Sequence, residues 1–239
     1  MKPIGIVVLC TLFLSTNAQV EAPRLAFGMG THGATIGLYR QITPKYSAGI
    51  ALSHLNFNTL INSSLIDQPI TLQPVFKFTQ ASAFLRWHPW GKVSDAGQLE
   101  NRGFHVLLGM AIRNNSIYRI NTTLKETTQI GQLVLGQTQT GSVDVFMHTR
   151  RIQPFAGIGF MTYGSNSGVS LGIDVGIFYH GAPETDLEAS GTLRLNARNE
   201  AQLNKNLQGF TIFPLIQAHM GVSLRRKEIS ISTSKSINL

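Results

Sequence analysis

The chain has 239 residues, a formal net charge of +8, 13% charged residues and 23 glycines. That length fits one domain and crowds two. Nowhere past residue 18 is there the run of roughly 18 or more apolar residues that a membrane helix needs, which leaves a soluble domain or a β-barrel. The basic excess includes Arg150-Arg151 and Arg225-Arg226-Lys227, read here as solvated loops and turns that suit an anionic lipid surface. With no aromatic–basic recognition motif, nucleic acid is not an expected partner.

The start of the chain reads as an export signal. Met1-Lys-Pro precedes an apolar run from Ile4 to Leu14, too short to span a bilayer, and then Ser15-Thr-Asn-Ala18. Cleavage is expected after Ala18, with Thr16 and Ala18 as the small recognition residues, so residues 1–18 are a signal peptide. Cys10 lies inside the apolar run without the small preceding residue of a lipoprotein site, and it should leave with the signal. The mature chain then has no cysteine, so no disulfide can staple it.

Two short strands are expected first, Arg24 to Met29 and Ala34 to Gln41, joined around Gly30-Thr-His-Gly33. After the tight turn 42–45, Lys45 to Asn58 alternates Tyr46, Ala48, Ile50 and Leu52 with Ser47, Gly49, Ala51 and Ser53. Successive residues of a strand point to opposite faces, so this segment has an apolar and a small or polar side. Residues 59–72 read as a polar loop. Val75 to Trp87 is a noisier strand, because Phe76, Phe78 and Phe84 share their face with Gln80, Ser82 and Arg86.

Clean alternation returns in Phe104 to Arg113, where Phe104, Val106, Leu108, Met110 and Ile112 oppose His105, Leu107, Gly109, Ala111 and Arg113. Residues 114–141 are Thr-, Asn- and Gln-rich and read as a long connection that can carry the strands on as a hairpin. Ile152 to Phe160, Val169 to Tyr179 and Pro214 to Leu224 repeat the two-faced pattern. In Val169 to Tyr179 the apolar face is Val169, Leu171, Ile173, Val175, Ile177 and Tyr179, and Asp174 sits at the centre of the other. Within the long segment 181–208, Asn199 to Gln208 is the one good helix candidate.

Six two-faced strands stand out, and an even count requires the two short strands before residue 42, with one long strand over 24–41 as the alternative. With alternating short and long connections they predict an all-β fold, a closed antiparallel transmembrane barrel of about eight strands with one short helix in a long loop. Glycines on the inner face suit a barrel just wide enough for side chains to fill it. A helix reading fails, since each glycine would cost about 1 kcal/mol relative to alanine. The domain reading is a signal peptide at 1–18, a barrel at 19–226 and a C-terminal extension at 227–239, with an added strand as the alternative for the tail. The expected location is a bacterial outer membrane.

Three segments carry a family resemblance. Phe84-Leu-Arg-Trp-His-Pro-Trp-Gly91 resembles the Asp-Trp-His-Pro-Phe strand end of a proteobacterial family of uncharacterised small outer-membrane β-barrel proteins. Pro154-Phe-Ala-Gly-Ile-Gly159 resembles that family's Pro-Tyr-Leu-Gly-Ile-Gly strand. Gly172-Ile-Asp-Val-Gly-Ile-Phe-Tyr-His-Gly-Ala-Pro183 resembles its Ala-Asp-Leu-Gly-Val-Met-Phe-Gln-Gly-Ser-Pro segment. Downstream, Ala201 to Leu207, Phe213-Pro214 and Gly221 to Arg225 follow in the same order. The likeness spans most of residues 33–225 and departs at Arg86, where the family tends to have Asp, and in the tail. It implies fold and location and carries no activity.

Asp174 is expected to join a polar cluster in the lumen with Arg113, His105, His219, Gln217 and Gln153. An ionised group in a narrow barrel needs such partners. Trp87, Trp90, Tyr39, Tyr46 and also Tyr118 lie near strand ends and are expected in interfacial aromatic rings. The histidines are scattered over different segments, so neither a metal nor a cofactor is expected. Ser53-His54 cannot form a catalytic dyad on a strand, and no enzyme activity is expected. The role read from these residues is envelope structure or surface interaction. A lipid A- or phospholipid-modifying enzyme and a soluble periplasmic lipocalin-like carrier are the alternatives. Expected partners are outer-membrane lipids, periplasmic chaperones and the barrel-assembly machinery, and the chain is expected to be a monomer.

Overall fold

The computed structural model describes residues 22–224 apart from 66–67, 94–98, 101–102, 125–127, 131–132, 136–140, 164–167, 192–193 and 195–198. The signal segment and the tail after residue 226 lie outside the described residues.

Alternation of apolar and small residues gives long two-faced strands, and these close on themselves. The ring uses β1 (Arg24–Gly30), β2 (Gly33–Thr43), β3 (Tyr46–Asn58), β5 (Gln68–Trp87), β8 (Gly103–Leu124), β12 (Ile152–Tyr163), β13 (Val169–Tyr179) and β15 (Ile212–Ser223). Its order is β8–β12–β13–β15–β1–β2–β3–β5 and back to β8, with every neighbour antiparallel. The first strand therefore pairs with the last, Arg24 opposite Ser223, and no ring edge is left open. The all-β, eight-stranded closed barrel expected from the sequence is the observed architecture.

The walls are two-faced as the alternation requires. Phe27, Ile36, Leu52, Leu85, Leu108, Ile158, Ile173 and Ile216, one from each ring strand, are each about half exposed on the outer surface. Inside, Phe178, Phe155, Leu107, Leu215 and Ala111 pack into a small core beside the polar residues. The parity of the noisy strand β5 is settled as well. Its three phenylalanines share the inward face with Gln80, Ser82 and Arg86, while Leu85 and Trp87 point out.

β5 and β8, 20 and 22 residues long, run well past the ring at the end opposite the termini. Residues 59–72, read as a loop, instead contain β4 (Ile61–Leu65) hairpinned onto β5, because Ile61 pairs with Leu72 and Leu65 with Gln68. β11 (Ser142–His148) pairs with the upper part of β8, and β14 (Glu184–Ala189) with β11. The alternation in β14 is too short to have been read from the sequence. A half-sheet of β4, β5, β8, β11 and β14 thus rises above one side of the rim. Two minor hairpins complete the list: β6 (Lys92–Val93) with β7 (Leu99–Glu100), and β9 (Thr128–Ile130) with β10 (Leu133–Leu135).

A register shift between Lys77 and Thr79, opposite Ile117 and Asn114, marks a bulge at the base of this half-sheet. Below it the odd residues of β8, His105 to Arg113, face in; above it Tyr118 does. One extra residue on β8 has changed which face its alternation presents. The expected helix is present as α1 (Glu200–Leu207) and covers the edge of β14. Asn204 accepts from the Thr185 amide at 2.7 Å and donates to its carbonyl at 3.2 Å, as a neighbouring strand would. Glu200 accepts from the Leu187 amide at 3.2 Å. An edge that could recruit another strand is blocked by side chains.

Candidate functional site

Asp174 is central on β13 and 1% exposed, and its neighbours supply the partners that a buried carboxylate needs. Its cross-strand neighbour on β12 is Gly159, whose own neighbour on β8 is His105. Because Gly159 has no side chain, His105 reaches over β12 and its Nε2 stands 2.7 Å from Asp174 Oδ1. A Cβ at Gly159 would fall on both groups. His219 on β15 lies in register with Gly172 and Gly28 on its two neighbours, and its Nδ1 is 3.5 Å from Asp174 Oδ2. From across the barrel Arg86 donates through Nη2 to Asp174 Oδ2 at 3.0 Å, its guanidinium lying 4.7 Å from the Phe84 ring and 5.3 Å from that of Tyr39.

Cross-lumen contacts therefore tie the walls together, among them Arg86–Asp174 and the Tyr39 hydroxyl with Ser170 Oγ at 2.8 Å. Nearer the half-sheet, Arg113 donates to Gln80 Oε1 at 2.9 Å and to the Tyr118 hydroxyl at 2.6 Å. Its guanidinium sits 4.2 Å from the Phe78 ring centre and 5.1 and 5.3 Å from those of Phe178 and Phe213. At the end where β1 begins and β15 finishes, His88 turns into the lumen with Nε2 3.1 Å from Ser47 Oγ and its ring 5.3 Å from that of His105. Burial, and then the charges of His105 and Arg86, push the His88 imidazole down to about 3.

The expected polar cluster is assembled in part. His105 and His219 meet Asp174, and Gln217 lies beside it on β15 and hydrogen-bonds His32. Arg113 does not reach Asp174; it belongs to the separate Gln80–Tyr118 group. Gln153 is buried but turns to the chain end of β11, donating to the Arg150 carbonyl at 2.9 Å. The guanidinium that neutralises Asp174 is Arg86, the residue at which the resembling motif departs. A signal for it existed: if Trp87 lies on the outer surface, alternation places Arg86 inside.

Among the expected interfacial aromatics, Tyr46 and Trp87 are opposite each other on the outer wall, and Trp90 is exposed against Phe104. Tyr39 is 3% exposed and points into the lumen, and Tyr118 is buried there too, so neither belongs to an outer ring. Each holds a polar partner inside, which a tyrosine can do while packing its ring. Ser53 and His54 face opposite sides, as expected, bonding Thr35 and Thr79 respectively.

On the half-sheet the charges are outside. Arg119 and Asn121 donate to Asp144 Oδ1 at 2.7 and 2.8 Å, and His148 pairs with Asp186 at 2.9 Å. Burial works to raise the Asp144 carboxyl, but those hydrogen bonds and the Arg119 charge hold it below its usual value.

Fold and interior together define a class: closed eight-stranded antiparallel barrels with an apolar outer wall and polar side chains turned into the lumen. No protein-family model and no curated protein matches the chain. Among solved structures it is similar to Acinetobacter baumannii CarO, at 17% identity and a TM-score of 0.59, over 87% of this chain and 100% of that one. Acinetobacter baumannii CarO2 is similar at 17% identity and a TM-score of 0.58, over 85% and 99% of the two chains. These likenesses show the fold.

Proposed function

We propose that the protein is an integral outer-membrane β-barrel whose lumen is plugged by its own side chains, serving envelope structure or surface interaction. The observation that supports the membrane most is the outer wall. Each of the eight ring strands presents large apolar side chains to the outside, far more than the few hundred square ångströms a soluble monomer tolerates. A tilted strand of β13's 11 residues covers roughly the 25 Å of apolar height that such barrels show. A soluble lipocalin-like carrier would need the opposite arrangement, apolar inside.

The end bearing the termini is the periplasmic end in this reading. It carries the tight β2–β3 turn and the outward Tyr46, Trp87 and Trp90 at headgroup level. The half-sheet then stands on the cell surface, where its charged outer side is available to other molecules. Outer-membrane lipids surround the wall, and periplasmic chaperones and the barrel-assembly machinery deliver the chain. The Arg86–Asp174 and Tyr39–Ser170 bridges across the axis support a closed lumen, since barrels with an aqueous channel have about 16–18 strands. The one buried Ser–His pair described, Ser47 with His88, is sealed inside and gives no support to an enzyme reading.

Cell fractionation combined with gel migration before and after heating tests this. The expected result is a detergent-dependent, heat-modifiable protein in the outer-membrane fraction that gives no conductance steps in a planar bilayer. Folded protein in the detergent-free periplasmic fraction sinks the membrane reading, and steady conductance sinks the plug.

A further inference from the structure

The lumen's charges do not balance around its cavity. A space of about 40 Å³ lies on the barrel axis, lined in part by His32, Gln80, Arg86, Asp174, Gln217 and His219. Among the described residues Asp174 is the one carboxylate here, and both its oxygens are taken, Oδ1 by His105 and Oδ2 by Arg86. Arg86 keeps Nε and Nη1 without a hydrogen-bond partner although the residue is only 4% exposed. Behind the cavity wall formed by Gln80 and Phe178, Arg113 is a second buried guanidinium. Its partners are a neutral amide, a neutral hydroxyl and aromatic rings, and its Nη2 is unbonded. Rings and amides solvate a guanidinium without cancelling its charge, and an uncompensated buried charge costs several kcal/mol.

The unsatisfied atoms have one character. Those of Arg86, Arg113, His32 and His219 are all nitrogens, and the arginine nitrogens can only donate. A site with donors in excess, net positive charge and low dielectric favours an acceptor that is itself negative. The cavity's size sets the class. One water needs roughly 10–15 Å³ of such space, so there is room for a halide-sized ion with a water or two and none for an organic acid.

We propose that this cavity binds one small monovalent inorganic anion of the halide type, held directly by Arg86 and His219 and by the field of Arg113. The anion completes the polar plug. This goes beyond the membrane reading and does not depend on where the barrel resides.

Bromide is the probe. The full chain is refolded into detergent in sodium bromide, so that access through the closed ends is not required, and crystals are examined by anomalous scattering. The expected result is a bromide peak beside Arg86 on the barrel axis. The unfolding midpoint should also be higher in bromide than in gluconate at equal ionic strength. Asp174→Asn removes the one opposing charge and should tighten bromide about tenfold, whereas Arg113→Gln should weaken it about tenfold. Waters alone in the cavity, peaks confined to surface arginines (an adventitious ion only), or equal midpoints in the two salts would overturn the proposal. If neither variant gives a heat-modifiable band, the wild-type peak and midpoints decide alone. Failure of the membrane reading would appear in fractionation and leave these bromide measurements untouched.

Discussion

Below the bulge at Lys77, β5 and β8 present Leu85, Trp87, Leu108 and Met110 outward and Arg86, His105 and Gln80 inward. Above it, the register places Lys77, Arg119 and Asn121 outward, and Ile120 shares the inner face with Val145 and Leu187 of the neighbouring strands. Two strands thus carry opposite patterns along their own length. In β8 the extra residue changes which parity points out, whereas β5 keeps its parity and changes the residues themselves. In the membrane reading proposed above, the apolar half of the wall meets acyl chains and the ion-paired half meets water.

The largest effect expected is inside the lower half. Arg86→Met leaves Asp174 buried without its guanidinium and should cost about 3–5 kcal/mol, read as a lower urea midpoint of the heat-modifiable band. The double variant Arg86→Met with Asp174→Leu should recover most of that loss. A double variant as weak as the single one would show that the pair is more than a neutralised plug.

The outer wall is tested by one charge placed in each half. Ile173→Arg should cost roughly 2–4 kcal/mol near the bilayer midplane and reduce the assembled fraction. Gln73→Lys, on the outer side of the half-sheet, should stay within about 0.5 kcal/mol. Equal costs would abolish the distinction drawn at the bulge. Gly159→Ala comes next, at about 1–3 kcal/mol, since its methyl group must displace His105 or Asp174.

Acidity separates the two ends through His88 and Asp144. His88 is neutral in the folded barrel, while an unfolded histidine gains its proton near pH 6.5. The stability it contributes is therefore present above pH 6.5 and falls as pH drops toward 3, by up to about 1.4 kcal/mol per unit. His88→Gln should flatten that slope in pH-dependent urea unfolding. Asp144 responds lower: the stability it contributes is lost only as pH falls below the ordinary carboxylate range, and its pair with Arg119 is only part-buried. Asp144→Asn should change global unfolding by less than about 1 kcal/mol and appear mainly as faster amide exchange in β11.

Much of this fold is legible in the sequence. Alternation in Lys45–Asn58, Phe104–Arg113 and Val169–Tyr179 identifies strands and their inner faces, because period two is a property of the backbone. Asp174 and His105 fall on those inner faces, and His219 on that of Pro214–Leu224, for the same reason. Arg86 was hidden by the phenylalanines beside it, since a lumen that stacks rings against guanidinium groups makes an inner face look apolar. Tyr39 was misplaced because nearness to a strand end says nothing about which wall a tyrosine faces. β4 and β14 were missed because short polar strands on a soluble sheet look like loops.

By itself, then, the order of residues determines six two-faced strands with a carboxylate on the inside of one of them, and the even count of a closed barrel supplies the two before residue 42. Faces follow from local geometry, and local geometry is written residue by residue. Which arginine meets that carboxylate was decided by closure of the ring, which brings Arg86 across the axis from Asp174, 88 positions away. Partners across a lumen depend on strand order and stagger, and those exist only once the sheet has closed on itself.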